Sequence, residues 1–521
     1  MTDSRSPRAL ASIVALVSVA LGCSGQADPF AEATQDEPRP VTTSESVAST
    51  GSDDEANGGT SEPSSGADST TDAPVATSQL ADPPPSRCDP SGIDDPASAP
   101  VTVRVWHALG GDAEGFVQLL ADRFEAEHEK IRVDIVKLDT GYPGAIDLLA
   151  NTPVDELPDV IMGSNQVVRL LHDSGRFIDP ADCTGGDLPE QFDDLLPVVA
   201  ATYTVDGDLR AAPFNVSAPV MLYDAKRWRS AGLDPADPPS DLDELETAIR
   251  QLVDSGAAAT GAVLYDRSAM WFVEQRAAQA GRLLAEPDNG RSGLELDRVQ
   301  FGTPDAIDTL TRLQGLARDG YILWNGVSAN NEDLAQLVHP TEPSGLTFNT
   351  SAVLGDIIRL AQEGIIPDVE IAVAPFPGPP VGSTAGGGAW WLLDNGDPAR
   401  AGAAWLVVDW LTRPGIVAEF AAYTGYVPTT VRAAEAAVIQ EQWRQWPIMR
   451  VAYDQLAASP ATPAAAGLQV GPLVEVLRNL ELAAAYTIDA GFDAAAELAS
   501  AEDRSAAVIQ VYRDTVQLDA G

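Results

Sequence analysis

The chain has 521 residues, 45% of them hydrophobic, enough to bury two sizeable cores. Asp and Glu number 77 against 32 Lys and Arg, a formal net charge of -45. Such an excess of negative charge excludes nucleic acid, whose binding rests on neutralising phosphates with cations, and disfavours non-specific contact with anionic lipid.

The amino-terminal segment carries Arg5 and Arg8, then an apolar stretch from Ala9 to Leu21. That run is too short for a bilayer-spanning helix and suits a signal peptide core. It ends in Val19-Ala20-Leu21-Gly22-Cys23, similar to the bacterial lipobox, so Cys23 is expected to be acylated and to become the mature first residue. The usual leucine three places before the cysteine is Ala20 here. From Ser24 to Ser86 the sequence is dominated by Ser, Thr, Asp, Glu, Ala, Gly and Pro, with almost no aromatic residue, and buries too little apolar surface to offset its ordering entropy. Residues 1–23 therefore read as a lipoprotein signal peptide and 24–98 as an acidic tether. The expected location is the extracellular face of the cytoplasmic membrane. With Cys23 acylated, Cys88 and Cys183 remain, and an oxidising compartment predicts that they pair.

The body begins with Val101–Leu109, which alternates like a strand. A helix follows, with Phe116, Leu119, Leu120 and Phe124 on one face and Asp112 as its expected N-cap. The segment 131–138 alternates again. A short helix follows the Gly141-Tyr142-Pro143 turn, 157–163 reads as a third strand, and the next helix closes at Gly175. Alternating strands and helices predict a parallel α/β sheet, with a ligand at the carboxyl ends of its strands. Those ends carry Trp106, His107, Tyr142, Asn165 and Gln166. The stretch PFNVSAPVMLYD then sets Asn215 and Ser217 between prolines, before an apolar strand from Ala218 to Tyr223. Either this is a plain loop, or the backbone crosses a cleft there and offers hydrogen bonds. A helix with Leu242, Leu245 and Ile249 on one side is expected to be capped by Ser240 or Asp241. Further on come a strand with a polar turn at 349–351, a Gly triplet opening an apolar strand at 386–388, and a helix ending at Gly425.

The four histidines are scattered, no CxxC or HExxH occurs, and no zinc site or cofactor is expected. Neither a GxSxG elbow nor an SxxK motif supports nucleophilic catalysis. Carboxylates are too common for any pair to argue a secreted glycoside hydrolase, which stays a remote alternative.

From about Val101 onward the chain resembles the bacterial extracellular solute-binding proteins of ABC importers, in the branch of sugar- and glycerol-3-phosphate-binding proteins. The resemblance is carried by VWHALGGDAE, LPDVI, PFNVSAPVMLYDAKRWRSAGLDPADPPSDLDEL, GGGAWWLL, WLTRPG and TGYVPTT, in that order. It implies a two-lobed periplasmic-binding-protein-like α/β fold, with crossing hinge strands and a ligand cleft between the lobes. The expected division is 99–213 plus 381–430 for one lobe and 214–380 plus 431–521 for the other.

Carried over position by position, the resemblance places solute contacts at Tyr142, near Asn165, at Ser217 or its neighbour Val216, at Ser351 or Thr350, at Gly387 and Gly388, and at Tyr426. Asn215 faces the solute in the same crossing. The family's tryptophan at the glycerol-phosphate site falls on Leu242, and its phosphate-holding arginine near Val474 or Glu475, so both are missing. A buried phosphate wants a guanidinium or a cluster of backbone N–H groups, so neutral polyols suit the remaining residues better. Trp106, Tyr142, Trp271, Trp390 and Tyr426 are candidates for stacking on sugar rings, and Asp112 and Glu274 for accepting sugar hydroxyls. The expectation is a lipid-anchored monomer that captures a carbohydrate and delivers it to separate permease and ATPase chains. A glycerol-3-phosphate- or glycerophosphodiester-binding protein is the alternative.

Overall fold

The computed structural model describes residues 87–519, apart from 92, 94–98, 140, 154–155, 293–295, 297, 327–330, 367–368 and 380–381. The expectations for the signal peptide, for Cys23 and for nearly all of the tether lie outside the described residues. Among the described residues thirteen strands are present. They are β1 (Val101–His107), β2 (Ile131–Lys137), β3 (Val160–Ser164), β4 (Phe177–Ile178), β5 (Thr204–Val205), β6 (Asp208–Leu209) and β7 (Ala212–Ser217). The remainder are β8 (Pro219–Asp224), β9 (Thr260–Leu264), β10 (Ile322–Trp324), β11 (Ser344–Thr350), β12 (Ile371–Pro375) and β13 (Gly386–Leu393).

Two larger sheets form two lobes. The first runs β2-β1-β3-β13-β4, with β7 also paired to β13. β1, β2 and β3 are parallel, while β13 runs antiparallel to β3, β4 and β7. The second sheet runs β10-β9-β11-β8-β12, parallel from β10 to β11 and antiparallel at β8 and β12. Helices cover both faces of each sheet's centre, so β8 and most of β13 are buried, as expected for central strands of α/β layers, and β7, paired among the described strands with β13 alone, is buried at every position as well.

Each lobe has its own core. One is built on Val103, Val105, Phe124, Val160, Phe214 and Trp391, the other on Trp228, Leu245, Phe272, Leu310, Phe348 and Leu480. Fully burying each such side chain contributes roughly 1.5–3 kcal/mol. In the helix Gly111–Glu127 the buried set is Ala113, Val117, Leu120, Ala121 and Phe124, and Leu119 lies outside that stripe at 49% exposure. Asp241 caps Leu242–Asp254 by accepting from the Glu244 N–H at 2.9 Å. Asp112 caps nothing: the N-cap is Gly110, and Asp112 pairs instead with Arg359 at 2.7 Å.

The chain crosses between the lobes at Ala218, between β7 in the first sheet and β8 in the second, rather than at 213/214. Residues 431–445, expected with the second lobe, send Ala433, Ile439 and Trp443 into the first core, whereas 451–457 packs on β8 and β12 of the second sheet. Cys88 and Cys183 are joined by a disulfide, Cα atoms 4.8 Å apart, which ties the start of the body to the turn after β4.

Candidate functional site

The carboxyl ends of β1 and β3, the end of β7 and the start of β13 meet at one end of the first sheet. Asn215 sits inside β7, buried, rather than in a loop. The prolines around it do not break the strand: Pro213 pairs with Ala389, and Pro219 opens β8 opposite Thr350. The Asn215 amide donates to the Tyr142 hydroxyl at 2.8 Å. Its Oδ1 is buried with no partner among the described residues.

The strand opposite must be bare for this to fit. A Cβ on Gly388 would lie 2.8 Å from Asn215 Oδ1 and 3.2 Å from the Tyr142 hydroxyl. Gly387 has φ +96, and a Cβ there would fall 2.0 Å from the Asn215 carbonyl oxygen. Both glycines are needed for close approach, and Gly387 also for its backbone conformation. The Asn165 N–H donates to the Gly387 carbonyl at 3.0 Å, which brings the turn after β3 against the same floor. Ser217 is buried beside Gly386. Tyr426 stacks on Phe420 at 5.5 Å, next to Val427, whose N–H reaches the Val216 carbonyl at 2.7 Å.

His107 closes β1. Its Nδ1 accepts from the Leu109 N–H at 3.2 Å, which puts the ring proton on Nε2, buried and unpartnered among the described residues. Burial pushes its pKa down to about 4, so the ring stays neutral.

The structure therefore gathers Tyr142, Asn165, Asn215, Ser217, Gly387, Gly388 and Tyr426 around one end of the first sheet, with His107 at the neighbouring strand end and Gln166 in the half-buried turn beyond Asn165. Four expected contacts go elsewhere. Trp390 is fully buried against Phe214, and Trp106 is 6% exposed within the first core, so neither ring has a face for a sugar. Helices cover both sheet faces, so an alternating strand buries its large side chains on either side. Ser351 spends its hydroxyl on the Ala218 N–H at 3.2 Å and its own N–H on the Ala218 carbonyl, which fixes the crossing. Asp112 is held by Arg359.

The second lobe contributes the helix Asp266–Gln279, which begins at the carboxyl end of β9. Trp271 is half-buried, its ring edge-on to Tyr265 at 6.3 Å, and Glu274 lies one turn further along. Glu274 Oε1 is 4.0 Å from where a Cβ on Gly467 would be. The charges of this wall are mostly paired: Arg478 bridges Asp266 at 3.2 Å and Glu481 at 3.5 Å, and Arg267 reaches Glu481 at 3.6 Å.

Sequence reasoning missed the polar knot behind the cleft. Gln275 Oε1 accepts from the Ser383 hydroxyl and the Thr384 N–H, both at 3.2 Å, and its amide donates to the Thr384 hydroxyl. Gln455 donates to the Ser383 hydroxyl at 2.7 Å and to the Pro219 carbonyl at 3.0 Å, and accepts from the Phe376 N–H. Ser459 accepts from the Ser383 N–H at 2.8 Å. The knot thus joins the crossing after β7 to the one between β12 and β13. No local signal marks these residues, because apart from Ser459 to Gln455 and Ser383 to Thr384 every bond in it spans more than 70 positions. Arg291 was missed too; its guanidinium donates to the carbonyls of Thr204 and Gly467 at 3.3 and 3.1 Å, and burial pushes its pKa down to about 10.

Among the described residues no group of three or more His, Cys, Asp or Glu could hold a metal ion, and no helix is long and apolar enough to cross a membrane.

Two α/β lobes joined by crossing strands, with neutral polar groups converging where the sheets end, define a solute-binding protein that holds a small molecule between its lobes. Residues 120–450 match the bacterial extracellular solute-binding protein family, and the chain belongs to it. It is the solute-binding component of an ABC importer and works outside the cytoplasm. It is 24% identical over 404 residues to the sn-glycerol-3-phosphate-binding periplasmic protein UgpB of Pectobacterium atrosepticum, covering 75% of this chain and 88% of that one. It is similar in structure to a cyclic alpha-maltosyl-1,6-maltose binding protein from Arthrobacter globiformis, at TM-score 0.61 and 22% identity, covering 79% of this chain and 99% of that one. UgpB from Mycobacterium tuberculosis in complex with glycerophosphocholine gives TM-score 0.63 and 17% identity, covering 80% of this chain and 99% of that one. At such identities the structural likeness establishes the fold. The family and these proteins bind their small molecules; none is named as an enzyme.

Proposed function

We propose that this protein captures a hydroxyl-rich solute, a sugar or oligosaccharide, and delivers it to a membrane permease, as a monomer tethered through an acylated Cys23. The observation that carries the reading is the wall around Asn215. An unpartnered amide oxygen, a tyrosine hydroxyl and bare glycine backbone are neutral dipoles, suited to hydroxyls and not to a fixed charge. Half-buried Tyr142, Tyr426 and Trp271 offer ring faces at the same cleft.

A glycerol phosphate or phosphodiester is the competing reading, because UgpB proteins are among the relatives. Against it, the guanidiniums of the second-lobe wall already neutralise Asp266 and Glu481. A phosphate would have to compete with those carboxylates for the same guanidiniums. Calorimetric titration decides between them. Binding of malto-oligosaccharides or other sugars, with none of glycerol-3-phosphate or glycerophosphocholine, is expected; the reverse pattern overturns the proposal. Radiolabelled palmitate incorporation, lost in Cys23→Ser, tests the anchor.

A further inference from the structure

Glu274 stands apart from every other carboxylate on its wall. Asp266 and Glu481 each have a guanidinium within 4 Å. Glu274 has no ion pair or hydrogen-bond partner among the described residues, although it is at least half buried. Gly467 lies beside it, and the next residue, Gln275, is bonded to Thr384 in the crossing. One turn back on the same helix, Trp271 packs one side on the second core and leaves the rest uncovered.

A half-buried carboxylate with no protein cation beside it is placed to take a cationic partner from outside the chain. An aromatic face one helical turn away is the other half of a site for a positive group. We propose that Glu274 is the counter-ion for a protonated amino group on the solute, so that the cleft favours amino-bearing sugars over their neutral counterparts. This rests on the carbohydrate reading above.

The electrostatic surroundings agree. Burial first, and then the like charge of Glu481, push the Glu274 carboxyl up to about 7. The other charged groups on the two helices packed together here are Asp266, Arg267 and Arg276 on its own helix and Glu475 and Arg478 on the helix of Glu481. Asp266, Arg267, Arg478 and Glu481 are engaged with one another, Arg276 lies two positions on from Glu274 and forms no ion pair with it, and Glu475 is exposed. A bound ammonium favours the ionised carboxylate, so binding near neutral pH releases a proton, and affinity falls as pH drops below about 7. The upper end of that window is set by the solute's own amine.

The test uses the full-length protein and matched probes: glucosamine against glucose and N-acetylglucosamine, and the chitosan dimer against its diacetylated form. Calorimetry at pH 7 is expected to give each amino form at least ten-fold tighter binding, with heats that depend on the buffer's ionisation enthalpy. Glu274→Gln is expected to erase the preference, so that each amino form binds no more tightly than its neutral counterpart in the same variant. Equal affinity for amino and neutral forms, or an unchanged preference in Glu274→Gln, overturns the inference and leaves the carbohydrate reading standing. Binding of no sugar at all overturns both. A ligand-free comparison checks the premise independently. Glu274→Gln is expected to melt about 2 °C above wild type at pH 8, with the difference gone at pH 4.5; no difference at pH 8 shows that the protein already compensates the charge, and also overturns the inference.

Discussion

Under the proposed function, the two groups of residues assigned to the cleft walls would meet a solute by different physics. On the first lobe Asn215, Tyr142, Gly387 and Gly388 are uncharged, tightly fitted and held by strand pairing. On the second lobe Trp271, Glu274, Asp266, Arg478 and Glu481 stand on helices and form a charged wall with one carboxylate left over. A wall of fixed neutral dipoles orients hydroxyls whatever the solute's charge, whereas a charged wall on side chains sorts solutes by sign. The contrast extends to pH. On the first wall burial keeps His107 neutral, and acid must charge it; on the second, burial keeps Glu274 protonated, and base must charge it.

The sharpest way to break the contrast is Gly387→Ala. The new Cβ would meet the Asn215 carbonyl at 2.0 Å, in a backbone conformation that disfavours side chains. A loss of roughly 3 kcal/mol or more in urea unfolding is expected, with loss of solute binding. Wild-type stability and affinity would show that the first wall is not tightly fitted.

The opposed pH responses come next. The His107 pKa is about 4 folded against 6.5 unfolded, so the unfolded state binds the proton first as pH falls. Stability is therefore lost between about pH 6.5 and 4, by roughly 3 kcal/mol, and denaturation of His107→Gln should lack that component. For Glu274 the folded pKa is raised from 4.5 to about 7, so its contribution is present below pH 4.5 and is lost as pH rises towards 7 and beyond. If both variants shift the stability profile in the same direction, the comparison fails.

Asn215→Ala removes the unpartnered acceptor and the donor to Tyr142. A 10- to 100-fold drop in solute affinity, about 1.4–2.7 kcal/mol, is expected by calorimetry. Tyr142→Phe is the smallest change. It removes a single acceptor of one 2.8 Å bond, and about 1 kcal/mol of affinity should go with it. Should Tyr142→Phe cost more than Asn215→Ala, the hydroxyl and not the amide is the main solute contact.

Much of this arrangement is legible in single-sequence patterns. Alternation marks β1 and β2, and Gly175 and Gly425 close helices in the left-handed conformation their positions demand. Asp241 before a run with Leu242, Leu245 and Ile249 announces a capped amphipathic helix. The family's residue order places Asn215, Gly387, Gly388 and Tyr426 at one sheet end. Other readings fail for physical reasons. Asn215 and Ser217 between two prolines look like a loop, yet prolines are tolerated at the first residue and irregular edge of paired strands, and here the pairing with β13 wins. Trp106 is an aromatic residue near the end of β1 and Trp390 one inside β13, and a sheet covered on both faces needs large side chains inside. Asp112 satisfies the local rule for a cap, and a guanidinium 247 positions away takes it instead.

The sequence by itself determined what depends on neighbours a few residues apart: the order of strands and helices, the caps and turns, and the charge balance that excludes nucleic acid. It also carried the family's two-lobed plan through the order of its motifs. Only the tertiary structure decided which polar groups are spent and which are left over. Gln275, Ser383, Thr384 and Gln455 are satisfied by one another across the crossings, while Asn215 Oδ1 and Glu274 are not. That distinction depends on partners brought together from distant parts of the chain, because a polar group becomes costly only when burial removes water and no such partner arrives.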